Sequence, residues 1–182
     1  MRDPLKRIWR CSRTPDAGSD KFPSLYGRKD YQQDVSRDEL GSFLSQLTDE
    51  KNFFRVSSSD LLSSSEIVIV EKVDGLIAGI AGVRRHRGVP VFFIVIKAEF
   101  QGRGIGDKLM CRLLEIVKTQ YNFLLLTVLK ENKSAISLFQ KYGYRTIGEK
   151  HGSYYMVFPI NGKGKFFAKM LKTLFPIISV SL

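Results

Sequence analysis

The sequence predicts an α/β (α+β) domain, a mixed sheet flanked by helices. Three observations carry this. Along the chain, apolar residues switch between strand-like runs and helical spacing, in the order helix, three-strand meander, helix, strand, helix, two strands. Two of the runs, VFFIVIK (91–97) and NFLLLTVL (122–129), are separated by one helix-length stretch, as a parallel crossover requires. The chain has 182 residues, 43% of them hydrophobic, enough for one buried core.

Residues 1–30 mix Pro4, Pro15, Pro23, Gly18 and Gly27 with basic side chains, and are expected to form an irregular basic arm. Ser36 and Glu39 form a capping-box signature, followed by Leu40, Phe43, Leu44 and Leu47 at helical spacing. Serine clusters around Leu61 and Leu62 suggest a loop or short helix. EIVIVEKV (66–73) and GLIAGIAGVRR (75–85) read as strands joined at Asp74-Gly75, a strong hairpin signal because both central residues take positive φ. A second turn, Arg87-Gly88-Val89-Pro90, leads into 91–97. That run and 122–129 are apolar enough to predict strands buried on both faces.

A helix is expected from about Ile105 to Thr119, with Leu109, Met110, Leu113, Leu114 and Val117 as its apolar stripe. Asn132 can cap a short helix carrying Ala135, Ile136, Leu138, Phe139 and Tyr142, which Gly143 stops. YRTIGEK and SYYMVFPI read as a closing pair of strands. Residues 162–182 form an amphipathic extension. Positions 166, 167, 170, 171, 174 and 175 are apolar, predicting a helix over 163–175 that Pro176 ends. The expectation is that it docks on protein, either its own domain or a second subunit as in a homodimer, and that the chain ignores anionic vesicles.

Net charge is +11, which favours acidic partners: nucleic acid, an anionic membrane or a polyanionic cofactor. No interleaved aromatic and basic stripe supports nucleic acid. Two cysteines without a CxxC pair and two histidines predict no metal site. The basic N-terminus has no long apolar core of a secretory signal, so a reducing, cytoplasmic location is expected.

The chemistry concentrates at AEFQGRGIGD (98–107), where an apolar strand turns into a helix through Gly102, Gly104 and Gly106. Such a turn suits strand–helix packing, and equally suits a phosphate approaching bare backbone N–H groups at a helix N-terminus. Arg103 lies within it. The stretch lacks the lysine and Ser/Thr of a P-loop.

IVIKAEFQGRGIGDKLM resembles the acetyl-coenzyme A signature of the GCN5-related N-acetyltransferase (GNAT) superfamily, with Gln101, Gly104 and Gly106 at the fixed positions of Q/R-x-x-G-x-G/A. ENKSAISLFQKYGYRTIGE is similar to the family's N-x-x-A-x-x-L-Y/F-x-x-x-G-F block through Asn132, Ala135, Leu138, Phe139, Gly143 and Tyr144. The resemblance covers about residues 36–160.

It implies a GNAT-like mixed sheet, centrally splayed between 91–97 and 122–129, with the acetyltransferase domain over 31–161. It also implies an acetyl-CoA-dependent N-acetyltransferase acting on a primary amine of a small molecule, peptide or protein. The backbone of Ile94, Val95 and Ile96 would pair with the pantetheine. Gln101, Gly102, Arg103, Gly104, Ile105, Gly106 and Asp107 would supply N–H groups to the pyrophosphate. Asn132 and Phe139 would lie beside the pantetheine and the thiol. A tyrosine that often serves as general acid in the family is Phe139 here, and Thr127 stands where some members place Glu or His. Tyr142, one turn beyond Phe139, is the candidate acid, with core packing as the alternative. His86, Glu66 and Glu71 are further titratable groups without an assigned role. The missing acid leaves a second function open: a non-catalytic acyl-CoA-binding or regulatory module of the same fold.

Overall fold

The computed structural model describes residues 30–31, 35–48, 61 and 64–178. The expectations for residues 1–29, for most of the serine-rich stretch and for 179–182 lie outside them. Helix α1 spans Arg37–Thr48. Its start is capped as the sequence predicts, the Glu39 N–H donating to Ser36 Oγ at 3.0 Å.

A two-residue strand, β1 (Asp30–Tyr31), precedes it and pairs in parallel with β2 (Ser65–Val73). β3 (Leu76–His86) and β4 (Val89–Ile96) continue the meander. The β2–β3 turn places Asp74 at φ 52° and Gly75 at φ 78°, the left-handed pair expected of Asp-Gly. The second turn sits earlier than expected. Arg87 and Gly88 form it, while Val89 and Pro90 already pair with β3.

After β4 come α2 (Ile105–Val117), β5 (Phe123–Leu129) and α3 (Lys133–Lys141). β6 (Arg145–Lys150), β7 (Ser153–Pro159) and α4 (Gly162–Ile178) complete the chain. The strand order is β1-β2-β3-β4-β5-β7-β6. The pairings β1–β2 and β4–β5 are parallel and the rest antiparallel. Parallel pairing thus occurs only where a helix crosses over.

The two faces of the sheet are covered by different helices. On one face Ile67, Ile69, Phe92, Leu124, Leu126, Met156 and Phe158 bury against α2 and α3. On the other, Val68, Val70, Ile80 and Phe93 bury against Leu40, Phe43 and Leu44 of α1. α4 packs on β5, β6 and β7, with the Phe167 ring 5.4 Å from that of Phe123. Phe123 points to the α1 face, because it alternates with the α2-facing Leu124. So α1 covers one half of that face and α4 the other.

Three further expectations change. Ile94, Val95 and Ile96 are only half-buried, although their run is apolar throughout. β5 alternates too, with Thr127 exposed between buried Leu126 and Val128. These two strands lie side by side yet share only one register pair, so neither has a full set of neighbours. The last helix runs through Pro176 to Ile178. A proline in a last turn deletes only one intrahelical hydrogen bond, so the helix ends two residues later rather than at the proline.

Candidate active site

The register pair that joins β4 to β5 is Val91 with Leu125. Both strands run on for several residues beyond it, to Ile96 and Leu129, without pairing to each other. The sheet therefore opens between them toward their C-terminal ends. The edge of β4 at the half-buried Ile94, Val95 and Ile96 forms one wall.

At the end of that wall, a 3₁₀ turn (Ala98–Phe100) leads into the glycine segment. Gln101 closes the turn, its Nε2 donating to the Ile96 carbonyl at 3.2 Å. Gly104 is the N-cap of α2 at φ 78°, a left-handed conformation that disfavours a side chain. A Cβ built there meets nothing within 4 Å, so the space beside its backbone is open. The first helical bond runs from the Lys108 N–H to the Gly104 carbonyl at 3.1 Å. The N–H groups of Ile105, Gly106 and Asp107 thus have no intrahelical acceptor, and the helix dipole adds positive potential at the same place. The Arg103 guanidinium lies over the Phe100 ring, 5.5 Å from its centroid, at the exposed rim. This set fits a pyrophosphate: bare backbone, free donors, positive charge and room.

Gly106 has a different reason to be glycine. A Cβ there would stand 3.0 Å from Leu138 Cδ2 and 3.3 Å from Ile96 Cδ1. Its bareness lets α2 approach α3 and β4. Asn132 caps α3, its Oδ1 accepting from the Ala135 N–H at 3.1 Å and from Ser134 Oγ at 3.0 Å.

Phe139 is 5% exposed. Its ring meets Phe92 edge-on at 5.8 Å and Tyr144 at 5.6 Å. Tyr142 is 7% exposed. Its hydroxyl donates to Asp107 Oδ1 at 2.9 Å, lies 3.2 Å from the Asp107 carbonyl oxygen and touches Cys111 Sγ at 3.3 Å. Lys141 also pairs with the Asp107 carboxylate. The Asp107 side chain thus ties α3 to the first turn of α2.

The other titratable candidates stand away from the opening. Glu66 accepts from Arg85 Nε at 2.8 Å and from the Tyr121 hydroxyl at 2.7 Å. Burial first, and then the bond to Glu66, raise the Tyr121 phenol well above its ordinary range. Glu71 pairs with Arg112 at 3.0 Å and Lys108 at 3.5 Å, fastening α2 to β2. Both glutamates sit on β2, two strands from the splay. His86 precedes the β3–β4 turn, at the end of β4 opposite the glycine segment. His151, which no sequence pattern singles out, lies in the β6–β7 turn at φ 49°. That turn borders the C-terminal end of β5, the Lys130 N–H donating to the Gly152 carbonyl at 2.9 Å. Only the sheet register, which no local pattern discloses, separates the two histidines. Among the described residues no His, Cys, Asp or Glu cluster could hold a metal ion.

Register also separates Tyr154 from Tyr155. Tyr154 packs against the core on the α2 face. Tyr155 pairs with Thr127, and both point to the α1 and α4 face, as Leu125 and Val91 do.

Known proteins agree with this architecture. An acetyltransferase of the GNAT family from Streptococcus pneumoniae superposes with a TM-score of 0.56 at 23% identity, over 68% of this chain and 92% of that one. The ribosomal-protein-S18-alanine N-acetyltransferase of Escherichia coli gives 0.57 at 18% identity, over 70% and 91%. YncA of Salmonella typhimurium, solved with its cofactor acetyl-CoA, gives 0.55 at 16%, over 70% and 92%. Identities this low speak for the fold alone. No curated protein matches the sequence. The sequence profile of the acetyltransferase (GNAT) domain matches residues 31–155, so the chain belongs to the GNAT acetyltransferase family.

Proposed function

We propose that the chain transfers an acetyl group from acetyl-CoA to a primary amine, with the donor in the opening between β4 and β5. The observation that carries this is the joining of two features. A sheet paired only at Val91–Leu125 leads, at the end of β4, into an open left-handed Gly104 with free helix N-terminal donors. The backbone of Ile94, Val95 and Ile96 would hold the pantetheine amides. The N–H groups from Gln101 to Asp107, with Arg103, would hold the pyrophosphate, and Asn132 would border the pantetheine. The pantetheine contacts are neutral amide hydrogen bonds and the pyrophosphate contacts are charge-assisted; together they orient the donor rather than react with it.

The chemistry is attack of a neutral amine on the thioester carbonyl. The C–N bond forms as the C–S bond breaks, the nitrogen passes its proton to a base or to water, and the sulfur leaves as thiolate or takes a proton from an acid. Phe139 offers no proton, and its ring is sealed among Phe92 and Tyr144. We read Tyr142 as a positioning residue, because its hydroxyl is buried and already bonded to Asp107. The thiolate then leaves unassisted by a side chain from α3. The acceptor reaches the carbonyl from the face shared by α1 and α4, where Thr127 and Tyr155 stand side by side. That groove is the counterpart of the donor side and is where amine specificity is set.

The test measures acetyl-CoA binding by calorimetry and, in parallel, thiol release over a panel of amines, peptides and proteins. Amine-dependent thiol release, with Tyr155→Ala raising the amine KM while leaving acetyl-CoA affinity unchanged, supports the reading. Phe139 and Thr127 favour the second reading, a non-catalytic acyl-CoA-binding module. Tight binding without thiol release on any acceptor would select it.

A further inference from the structure

Helix α4 has a wider apolar face than the described residues of its own domain cover. The covered ridge is Gly164, Ala168 and Leu171, spaced by four and three residues. Gly164 is buried so tightly that a Cβ there would fall 1.8 Å from the Asn122 carbonyl oxygen. The Asn161 side chain caps the helix start, accepting from the Gly164 N–H at 3.0 Å. The helix is therefore anchored in a fixed rotation about its axis.

That rotation leaves Phe166 and Leu174 outside on a second ridge, with the half-buried Met170 between them at intervals of four. Phe166 is 69% exposed and Leu174 37%. A side chain as large as Phe166 so exposed on an anchored helix is a standing hydrophobic surface, not a frayed end. Lys163, Lys165 and Lys169 border it, Lys172 lies on the opposite side of the helix, and 162–178 contains no acidic residue. Lys163 lies on one side of the ridge, Lys165 and Lys169 on the other.

We propose that this ridge docks on an anionic lipid bilayer. An apolar strip one helix ridge wide, bordered by lysines on both sides, matches the boundary between acyl chains and anionic headgroups. The ridge enters the apolar layer while lysine stems reach back to the headgroups. Each lysine near such a surface adds attraction to the anionic headgroups, and the chain's net charge of +11 adds a longer-range pull. A folded protein partner would need an apolar groove with acidic walls on both sides, a far narrower requirement than an anionic membrane meets. No described helix is long and apolar enough to cross a membrane, so the helix lies on the surface. The sequence alone pointed to docking on protein. The structure shows that docking on its own domain, with Phe166 and Leu174 left exposed by the described residues.

The test uses the full chain with vesicles of phosphatidylcholine alone and of phosphatidylcholine mixed equally with phosphatidylglycerol, at near-physiological salt. Sedimentation should show binding to the mixed vesicles at least about tenfold tighter than to the neutral ones. The F166S/L174S double variant should lose that binding about tenfold or more while keeping its thermal midpoint and its acetyl-CoA affinity, since both side chains are already exposed. Charge reversal at Lys165 and Lys169 should weaken binding and flatten its salt dependence. Absence of binding to mixed vesicles overturns the proposal. So does binding that survives F166S/L174S, which would place the contact elsewhere on the chain. Conversion of a dimer to a monomer by F166S/L174S, with vesicle binding unaltered, would assign the ridge to a second copy of this chain instead.

Discussion

The Tyr142 hydroxyl donates to Asp107 Oδ1 at 2.9 Å, joining the end of α3 to the first turn of α2. The same carboxylate is held by Lys141, so two residues of α3 fix a side chain only three positions beyond Gly104. A hydrogen bond to a charged group contributes about 1.5–3 kcal/mol when buried, and the half-exposed Asp107 carboxylate places this one at the low end, about 1–1.5 kcal/mol. Tyr142→Phe should therefore lower the thermal midpoint by several degrees and weaken acetyl-CoA binding modestly, with kcat on the best amine within about threefold of wild type. A loss near 10²-fold in kcat with unchanged KM would instead make Tyr142 the proton donor.

Gly104 and Gly75 share a φ of 78°, and a Cβ on either meets nothing within 4 Å. Valine at either position incurs the same left-handed strain, about 1–2 kcal/mol. Only Gly104 lies at the end of the splay. Gly104→Val should weaken acetyl-CoA binding tenfold or more, roughly 1.4 kcal/mol, while Gly75→Val should lower stability comparably and leave affinity alone. Equal affinities for the two variants, read by calorimetry, would remove the glycine segment from the binding site.

Much of the fold was legible in the sequence because the controlling forces are local. Asp74-Gly75 must turn with two positive φ angles, Asn132 must cap the short helix after it, and the spacing from Leu109 to Val117 has one helical face. What the sequence did not disclose depends on partners distant in sequence. Ile94, Val95 and Ile96 look like a fully buried strand because apolar content does not say whether the neighbouring strand stays paired. Gly106 reads as a phosphate glycine, and the fold adds a packing reason that the motif does not show, a Cβ there standing 3.0 Å from Leu138 of another helix. Phe139 and Tyr144 sit in one motif, and only the fold places their rings together under Phe92.

Tyr144 is the exception within that aromatic cluster. It is 3% exposed and its hydroxyl is buried without a hydrogen-bond partner among the described residues. Burial raises its phenol well above the ordinary range, so the folded chain keeps the proton at pH values where the unfolded chain loses it. The sign follows from linkage. The contribution is constant below about pH 10, the unfolded value, and stability falls as pH rises above it. Tyr144→Phe should stabilise the protein by about 1 kcal/mol at neutral pH, because an orphaned polar group is removed at little cost in shape. It should also reduce the alkaline loss measured by denaturant titration. Tyr121, raised in the same direction, should keep the loss from vanishing. A variant less stable than wild type at neutral pH would mean that the hydroxyl has a partner such as buried water.

The contact between α4 and the sheet can be broken at one atom. Gly164 lies against the Asn122 carbonyl, which has no room to retreat because the Ile160 N–H donates to it at 2.9 Å. Gly164→Val should expel the first turn of α4, expose Phe123 where Phe167 now covers it, and cost about 2–4 kcal/mol. Deleting residues 163–182 should expose the same surface and lower both solubility and the thermal midpoint. The two changes differ in one respect. Gly164→Val keeps the lysines and the apolar residues of the helix, so it should retain attraction to anionic vesicles, whereas the deletion should lose it. Thermal unfolding of both proteins, with vesicle sedimentation alongside, checks the pair. A Gly164→Val protein as stable as wild type would show that α4 is not held to β5–β7 by this contact.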